Sequence, residues 1–222
     1  MGIPGNQITT FGLLRHGQTE WNVQKRIQGQ QDSPLTEEGV VQARKWGKFF
    51  QAQGWTKILA SDLGRVRETV GHIQTFFDIP SIFNRLLREQ DWGVWTGRTI
   101  VELKNEHGKV LAEQIQKGWD FCPPDGESRN AVYYRTRRAL LEAAKYWPGE
   151  KVLVVCHEGV LKALVYKLSG RFFLPEEPAL LKKAHLHIFS SAHDSLVLEA
   201  VNFASLSGTR LPARLTQHGI EV

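Results

Sequence analysis

The feature that most constrains the fold of this chain is a nearly unbroken apolar run, Lys151–Cys156, that leads directly into His157. Its polarity does not alternate, which predicts a strand buried on both faces, typical of the centre of a parallel sheet. The apolar segment 8–14 repeats this pattern near the start of the chain and leads into Arg15 and His16. Because ligands of open α/β sheets bind at the carboxyl ends of the strands, we expect both histidines at one such edge.

Helical periodicity alternates with short apolar runs along most of the chain, which predicts an α/β fold. We expect a three-layer α/β/α sandwich with a mostly parallel central sheet. The first turn of one predicted helix carries Arg65 directly after a strand, and that helix is expected to run to Pro80. The other expected elements are helices that begin at Thr36, Ser128 and His157, and strands over residues 55–60, 81–83, 184–190 and 196–203.

Residues 84–127 interrupt this alternation, because they are rich in Trp, Gly and charge and give no strand pattern. We expect one domain over residues 1–222, with this segment as a cap-like excursion over the active site. Short helical pieces are expected around residues 101–116, and a Pro-Pro-Asp-Gly turn closes the segment. Its aromatic residues either line the substrate mouth or pack the excursion onto the core: Trp92, Trp95, Trp119 and Phe121.

Composition excludes several classes of protein. The chain carries 28 Lys and Arg against 23 Asp and Glu, a net charge of +5 that is spread along the sequence. This pattern disfavours nucleic acid and fits small anionic substrates. No apolar run reaches membrane-spanning length, and residues 1–7 lack a secretion signal. Cys122 and Cys156 form no CxxC pair, so we expect a reduced, cytoplasmic protein.

Five side chains suggest a phosphoryl-transfer site. Arg15 and Arg65 could hold phosphate oxygens in bidentate fashion. His16 could attack phosphorus, while His157 donates a hydrogen bond to a phosphoryl oxygen. The carboxyl of Glu89 could protonate the leaving oxygen. Together these groups match phosphoryl transfer through a covalent histidine intermediate.

The motifs that carry these residues resemble those of the histidine phosphatase superfamily, which has the phosphoglycerate-mutase-like fold. They are Arg15-His16-Gly17 with Asn22, Gln28-Gly29, Pro34-Leu35-Thr36, Ser61-Asp62-Leu63-x-Arg65, Leu87-Arg88-Glu89, Pro124-Asp125-Gly126-Glu127-Ser128 and Cys156-His157. The resemblance implies that His16 becomes phosphorylated and that Glu89 is the general acid, then the base for water. It implies that Arg15, Asn22, Gln28, Gly29, Arg65 and His157 bind the substrate, without a metal or an organic cofactor.

Two residues depart from the family pattern. Trp95 stands where many members carry Glu, which predicts a more apolar mouth. Glu158 replaces a common Gly directly after His157, and a carboxylate so close to a phosphate would repel it. We therefore expect Glu158 to cap its helix and to face away from the phosphate.

The sequence favours a phosphomonoester hydrolase of small phosphorylated metabolites. In glycolytic mutases of the family an Arg-His-Tyr run follows the acid, whereas Gln90-Asp91-Trp92 follows Glu89 here. A positive charge for a second anionic group is therefore absent from that segment. Mutase-type transfer is the second hypothesis, and an inactive phosphate-binding or scaffolding protein is the third. We expect no nucleic-acid or membrane partner, and the sequence is compatible with a homodimer.

Two other sites fit the sequence less well. A cysteine phosphatase built on Cys156 would need Arg where Lys162 stands. His185 and His187 share a strand face, but no third metal ligand lies near them in sequence. We therefore expect Cys156 to be a small buried residue and the two histidines to be a surface or core pair.

Overall fold

The computed structural model describes residues 7–192, 194–206, 215–216 and 219–220. Six strands form the central sheet: β1 Thr9–Arg15, β2 Lys57–Ala60, β3 Ser81–Phe83, β4 Lys151–Cys156, β5 His185–Ala192 and β6 Ser195–Ser205. Their spatial order is β3-β2-β4-β1-β5-β6. The first four strands in this order are parallel, and β5 and β6 are added antiparallel at one edge. The mostly parallel sheet is as predicted.

Six α-helices accompany this sheet in the described part of the chain: α1 Glu20–Val23, α2 Glu37–Phe50, α3 Gly64–Gln74, α4 Ile100–Gln116, α5 Arg129–Tyr146 and α6 Glu158–Leu168. The predicted caps Thr36 and Ser128 precede α2 and α5, and each hydroxyl oxygen accepts a backbone N–H of the first turn. A separate pair of short strands, β7 Leu215–Thr216 and β8 Gly219–Ile220, lies near the end of the chain.

The central strand β4 contributes to two apolar clusters, one on each face of the sheet. Val152 and Val154 pack in the cluster that contains residues of α5 and α6. Leu153 and Val155 pack in the cluster that contains residues of α2 and α3. Successive side chains of a strand point to opposite faces, so both faces are covered. This arrangement is the predicted three-layer α/β/α sandwich.

Several predicted boundaries were wrong. Helix α3 ends at Gln74 rather than at Pro80, and the Gln74 side chain instead donates to the Ile79 carbonyl at 2.7 Å. Strand β2 begins at Lys57, because Trp55 packs against Phe50 outside the sheet. Within the described ranges, none of the helices has the length and apolar character needed to cross a membrane.

The excursion of residues 84–127 contains 3-10 turns at Arg85–Leu87, Gly93–Trp95 and Gly118–Asp120, and the helix α4. Short helical pieces were expected there, but α4 is one helix with a kink at His107, whose φ is −135°. The excursion has a small apolar cluster of its own, formed by Trp95, Leu103, Leu111 and Phe121. The predicted tail from Ser205 onward lies largely outside the described residues, as do residues 1–6.

Candidate active site

The two histidines lie side by side at the carboxyl ends of β1 and β4. Arg15 is paired with Cys156 in the parallel ladder, and the His16 amide donates to the Cys156 carbonyl at 3.0 Å. The ring centroids of His16 and His157 are 5.3 Å apart. Both side chains are buried. The sheet therefore places the two imidazoles next to each other, as the strand pattern predicts.

The ring of His16 is oriented by its own turn. Its Nδ1 lies 2.7 Å from the Gly17 carbonyl, so Nδ1 carries the proton and donates it. Nε2 is then an acceptor, and the Nε–H of Arg65 donates to it at 3.3 Å. Burial above all, and then Arg15 and Arg65, hold the pKa of His16 well below its ordinary value. The imidazole is therefore neutral and has a lone pair on Nε2, as a nucleophile requires.

Arg65 is fixed from several sides in the first turn of α3. Its Nη1 donates to the Gln31 carbonyl at 2.6 Å and to Asp32 Oδ1 at 2.9 Å. Its Nη2 donates to the Gly29 carbonyl at 2.8 Å and to His157 Nδ1 at 3.2 Å. The side chain is almost fully buried. Arg65 thus contacts both imidazoles from one rigid position.

His157 lies behind this guanidinium rather than in the open cavity. Because its Nδ1 accepts from Arg65, its proton is on Nε2, which lies 2.8 Å from Ser61 Oγ. Burial above all, and then the charge of Arg65, lowers its pKa well below the ordinary value. The expected hydrogen bond from His157 to a phosphoryl oxygen therefore requires the proton to be on Nδ1 instead.

Glu89 reaches the site from the excursion. Its Oε1 accepts the Gln90 amide at 2.8 Å, and its Oε2 accepts the Gly159 amide at 3.2 Å. A Cβ on Gly159 would collide with Glu89 Oε1, so a larger residue there would displace this carboxylate from its present position. Arg135 donates to the Glu89 carbonyl at 3.1 Å and forms an ion pair with Glu127, which fixes the segment on α5.

One cavity of about 280 Å³ joins most of the predicted site residues. Its walls include Arg15, His16, Asn22, Gln28, Gly29, Arg65 and Glu89. Asn22 also caps α1, since its side-chain oxygen accepts the Thr19 amide at 3.1 Å. The buried Gln28 Oε1 has no hydrogen-bond partner in the described structure. His157 contributes no wall and acts on the cavity through Arg65.

The prediction for Glu158 was wrong. His157, not Glu158, is the N-cap of α6, and the Glu158 carboxylate lines the cavity. It forms ion pairs with Arg15 and with Lys162, the latter at 2.7 Å. Burial would raise the pKa of Glu158, but Arg15 and Lys162 together with Lys183 hold it below its ordinary value. The carboxylate of Glu158 therefore stays charged. It pairs with the guanidinium of Arg15, which the resemblance assigns to phosphate binding.

The aromatic residues of the excursion divide into two groups. Trp95 and Phe121 are buried in the excursion's own cluster, and Trp119 packs at the main core, where its N–H donates to the Arg171 carbonyl at 2.7 Å. Only Trp92 of the four lines the cavity. The departure at Trp95 therefore stabilises the excursion and does not make the mouth more apolar, contrary to our expectation.

Sequence reasoning did not identify three basic residues that also line the cavity: Arg26, Arg129 and Lys162. A signal for Arg129 was present, because it follows the predicted cap Ser128 and so begins a helix at the end of the excursion. Lys162 lies one turn after Glu158 on α6, a spacing at which helical side chains meet.

The described residues form neither of the alternative sites that the sequence analysis considered, the cysteine nucleophile and the metal site. Cys156 is fully buried, and burial raises the pKa of its thiol, so it is no nucleophile. The described residues contain no group of three or more His, Cys, Asp or Glu side chains that could hold a metal ion. His187 is a core residue: its Nδ1 accepts the Asn202 amide at 3.1 Å, and burial lowers its pKa to about 4.

Comparison with known proteins agrees with this geometry. The sequence model of the histidine phosphatase superfamily (branch 1) matches residues 11–204. The chain therefore belongs to the histidine phosphatase superfamily. Membership supports an enzyme, and the family was correctly identified from the sequence motifs.

Individual relatives differ in the activity that their names state. A protein of Enterobacter sp. (strain 638) named probable phosphoglycerate mutase GpmB is 38% identical over 158 residues, which cover 71% of this chain and 74% of the relative. The structure of Bacillus stearothermophilus YhfR superposes with a TM-score of 0.81 at 31% identity, over 89% of this chain and 98% of YhfR. A mycobacterial glucosyl-3-phosphoglycerate phosphatase, solved with VO3, has a TM-score of 0.75 at 28% identity, over 87% of this chain and 98% of its own.

Proposed function

We propose that this protein is a metal-independent phosphomonoester hydrolase that acts on small phosphorylated metabolites through a phosphohistidine at His16. One observation carries the proposal: His16 with its unprotonated Nε2, the guanidinium groups of Arg15 and Arg65, and the carboxyl of Glu89 share a single cavity of about 280 Å³. This volume is at the small end of the range for ligand pockets, so a metabolite suits it better than a macromolecule.

Each residue has a proposed role in the reaction. His16 Nε2 attacks phosphorus, and Arg15 and Arg65 neutralise the phosphoryl oxygens. Glu89 gives a proton to the leaving oxygen and later takes one from the attacking water. His157 acts as a positioning residue through its contact with Arg65. Guanidinium groups supply the positive charge that metal ions supply in other phosphoryl-transfer enzymes.

The first test is release of inorganic phosphate from an aryl phosphate in the presence of EDTA. Turnover under these conditions, with acid-labile labelling of His16 during a rapid quench, is the expected result. Turnover that needs added divalent metal would contradict the metal-independent mechanism. Binding of phosphate without any turnover would favour the phosphate-binding or scaffolding alternative.

The name of the curated relatives makes phosphoglycerate mutase-type transfer the second candidate. Both reactions begin with the same phosphohistidine and differ in whether water or a second hydroxyl accepts the phosphoryl group. Incubation with 3-phosphoglycerate separates them: free phosphate supports the hydrolase, and 2-phosphoglycerate without phosphate release supports the mutase. We also propose that the protein acts in the cytoplasm, since Cys122 and Cys156 are free thiols.

A further inference from the structure

The cations that line the cavity differ in whether a carboxylate neutralises them. Arg15 and Lys162 both pair with Glu158, and Arg65 pairs with Asp32. Arg26 lies 3.8 Å from Glu102. Among the described residues, Arg129 is the one lining cation without an acidic partner.

Arg129 is nevertheless held firmly in place. Its Nη1 donates to the Gly118 carbonyl at 2.9 Å and to the Phe173 carbonyl at 3.1 Å. Its guanidinium carbon lies 4.2 Å from the ring centroid of Phe121 and 4.0 Å from that of Phe173. Such cation–π contacts favour the charged form. The guanidinium is thus preorganised by two backbone carbonyls and two aromatic rings.

This anchoring leaves part of the guanidinium unused. The structure gives Nη2 and Nε no acceptor within the described residues. Burial lowers the pKa of Arg129 to about 10, which still leaves the group charged near neutral pH. A partly buried cation without a counter-charge is unfavourable on its own, and an anionic ligand would remove the penalty. The open N–H groups have the fork geometry that suits a carboxylate or a phosphate.

We propose that Arg129 binds a second anionic group on the leaving-group side of the substrate. The phosphoryl group to be transferred lies at Arg15, His16 and Arg65, and the second anion, a carboxylate or a second phosphate, lies at Arg129. The substrate class is therefore a short phosphomonoester that carries a second anionic group, either a carboxylate or another phosphate. The inference rests on the proposed function only in placing the first phosphate at His16.

The location of Arg129 also corrects the interpretation of the residues after Glu89. The segment Gln90-Asp91-Trp92 lacks the positive charge that would hold a second anionic group. The sequence therefore gave no indication of a second anion-binding site. The structure supplies that charge from the first residue of α5, 40 positions further along the chain than Glu89. The absence of a basic residue beside the acid is therefore no argument against a phosphorylated acid as substrate.

Equilibrium binding to a His16→Ala background tests the inference without turnover. Three ligands share a three-carbon skeleton: glycerol 3-phosphate has no second anion, 3-phosphoglycerate has a carboxylate, and propane-1,3-diol bisphosphate has a second phosphate. Because charged hydrogen bonds to Arg129 would be gained, at least one of the two ligands with a second anionic group should bind about tenfold tighter than glycerol 3-phosphate. Tighter binding of 3-phosphoglycerate would identify the second anionic group as a carboxylate, and tighter binding of the bisphosphate would identify it as a phosphate.

The Arg129→Met substitution in the same background should abolish this preference and leave the affinity for glycerol 3-phosphate within about twofold. Arg129→Gln, which keeps a hydrogen-bond donor for the two carbonyls, is the second variant in case the first does not fold. Arg138→Met is the matched control, because Arg138 is exposed on the same helix and pairs with Glu142. The control should keep the full preference.

Two results would overturn the inference. One is equal affinity of the His16→Ala protein for all three ligands. The other is an equal loss for all three ligands in the Arg129 variants, which would show that Arg129 only supports the fold. Failure of the proposed function is a separate result: a preserved binding preference with no phosphate release by the wild type would refute the hydrolase and leave the Arg129 site intact.

Discussion

At the phosphate end of the cavity, defined by Arg15, His16 and Arg65, each side chain ends a strand of the central sheet, directly follows one, or lies in the first turn of the next helix. At the leaving-group end, defined by Trp92, Arg129, Val132 and Phe173, the side chains come from the excursion, from α5 and from a loop after α6. The first end is positioned by the sheet's hydrogen bonds and the second by packing of connecting segments. The groups that we propose to react are thus positioned by the central sheet, whereas the groups that we propose to select the substrate lie on connecting segments and on α5.

The largest effect should come from the phosphate end. His16→Ala removes the proposed nucleophile, so turnover should fall by about a thousandfold or more. The fold should persist, because the loss of one ring leaves the β1–β4 ladder intact. Phosphate release and the melting temperature should be measured together, with His107→Ala, an exposed histidine on α4, as the control. Near-normal turnover in the variant would refute the assignment of His16.

The second prediction concerns Glu89, which lies between the two ends of the cavity. Glu89→Gln keeps an acceptor for one of the two backbone amides and cannot give a proton to the leaving oxygen, so kcat for an alkyl phosphate should fall about a hundredfold. An aryl phosphate has a leaving group that needs less protonation, and its kcat should fall far less. The control is Glu106→Gln, an exposed carboxylate on α4. Equal losses for both substrates would argue against Glu89 as the general acid.

The pH profile tests the electrostatics of the phosphate end. Burial and two arginines lower the pKa of His16, so its neutral, attacking form persists below the ordinary pKa of 6.5. A histidine with that ordinary pKa would lose activity about 30-fold by pH 5, because only the unprotonated fraction attacks. We expect kcat/KM to fall by clearly less than this between pH 7 and pH 5, when measured with one aryl phosphate. A fall of kcat/KM toward acidic pH with an apparent pKa of 6.5 would contradict this expectation.

The smallest expected effect concerns Glu158. Its carboxylate neutralises Arg15 and lies in the cavity, so Glu158→Gln should tighten binding of inorganic phosphate a few-fold, and more at low ionic strength. Calorimetric titration with phosphate measures this, and Glu142→Gln, which breaks the exposed pair with Arg138, provides the control. Weaker binding by the Glu158 variant would show instead that the carboxylate holds Arg15 in its productive orientation.

These two ends were also predictable to different degrees. Strand patterns and helix-start residues are local, so the positions of His16, His157 and Arg65 at one sheet edge followed from sequence alone. Glu158 was misplaced because its partner Arg15 lies 143 positions away, and no local pattern encodes that contact. Arg129 was missed for the same reason: its environment consists of the Gly118 and Phe173 carbonyls, on segments that come together only in the fold.

The spacing of the two imidazoles has a consequence for how the protein loses activity on heating. Adjacent strands lie about 4.8 Å apart, and the ring centroids of His16 and His157, which directly follow two such strands, are 5.3 Å apart. The ladder between β1 and β4 holds the backbones of the two histidines at this spacing, and central strands are among the last parts of a protein to open. Fraying of the C-terminal ends of the helices or of the excursion leaves the spacing of the pair intact. For an aryl phosphate, whose leaving group needs little protonation by Glu89, loss of the phosphorylation step should therefore coincide with melting of the sheet.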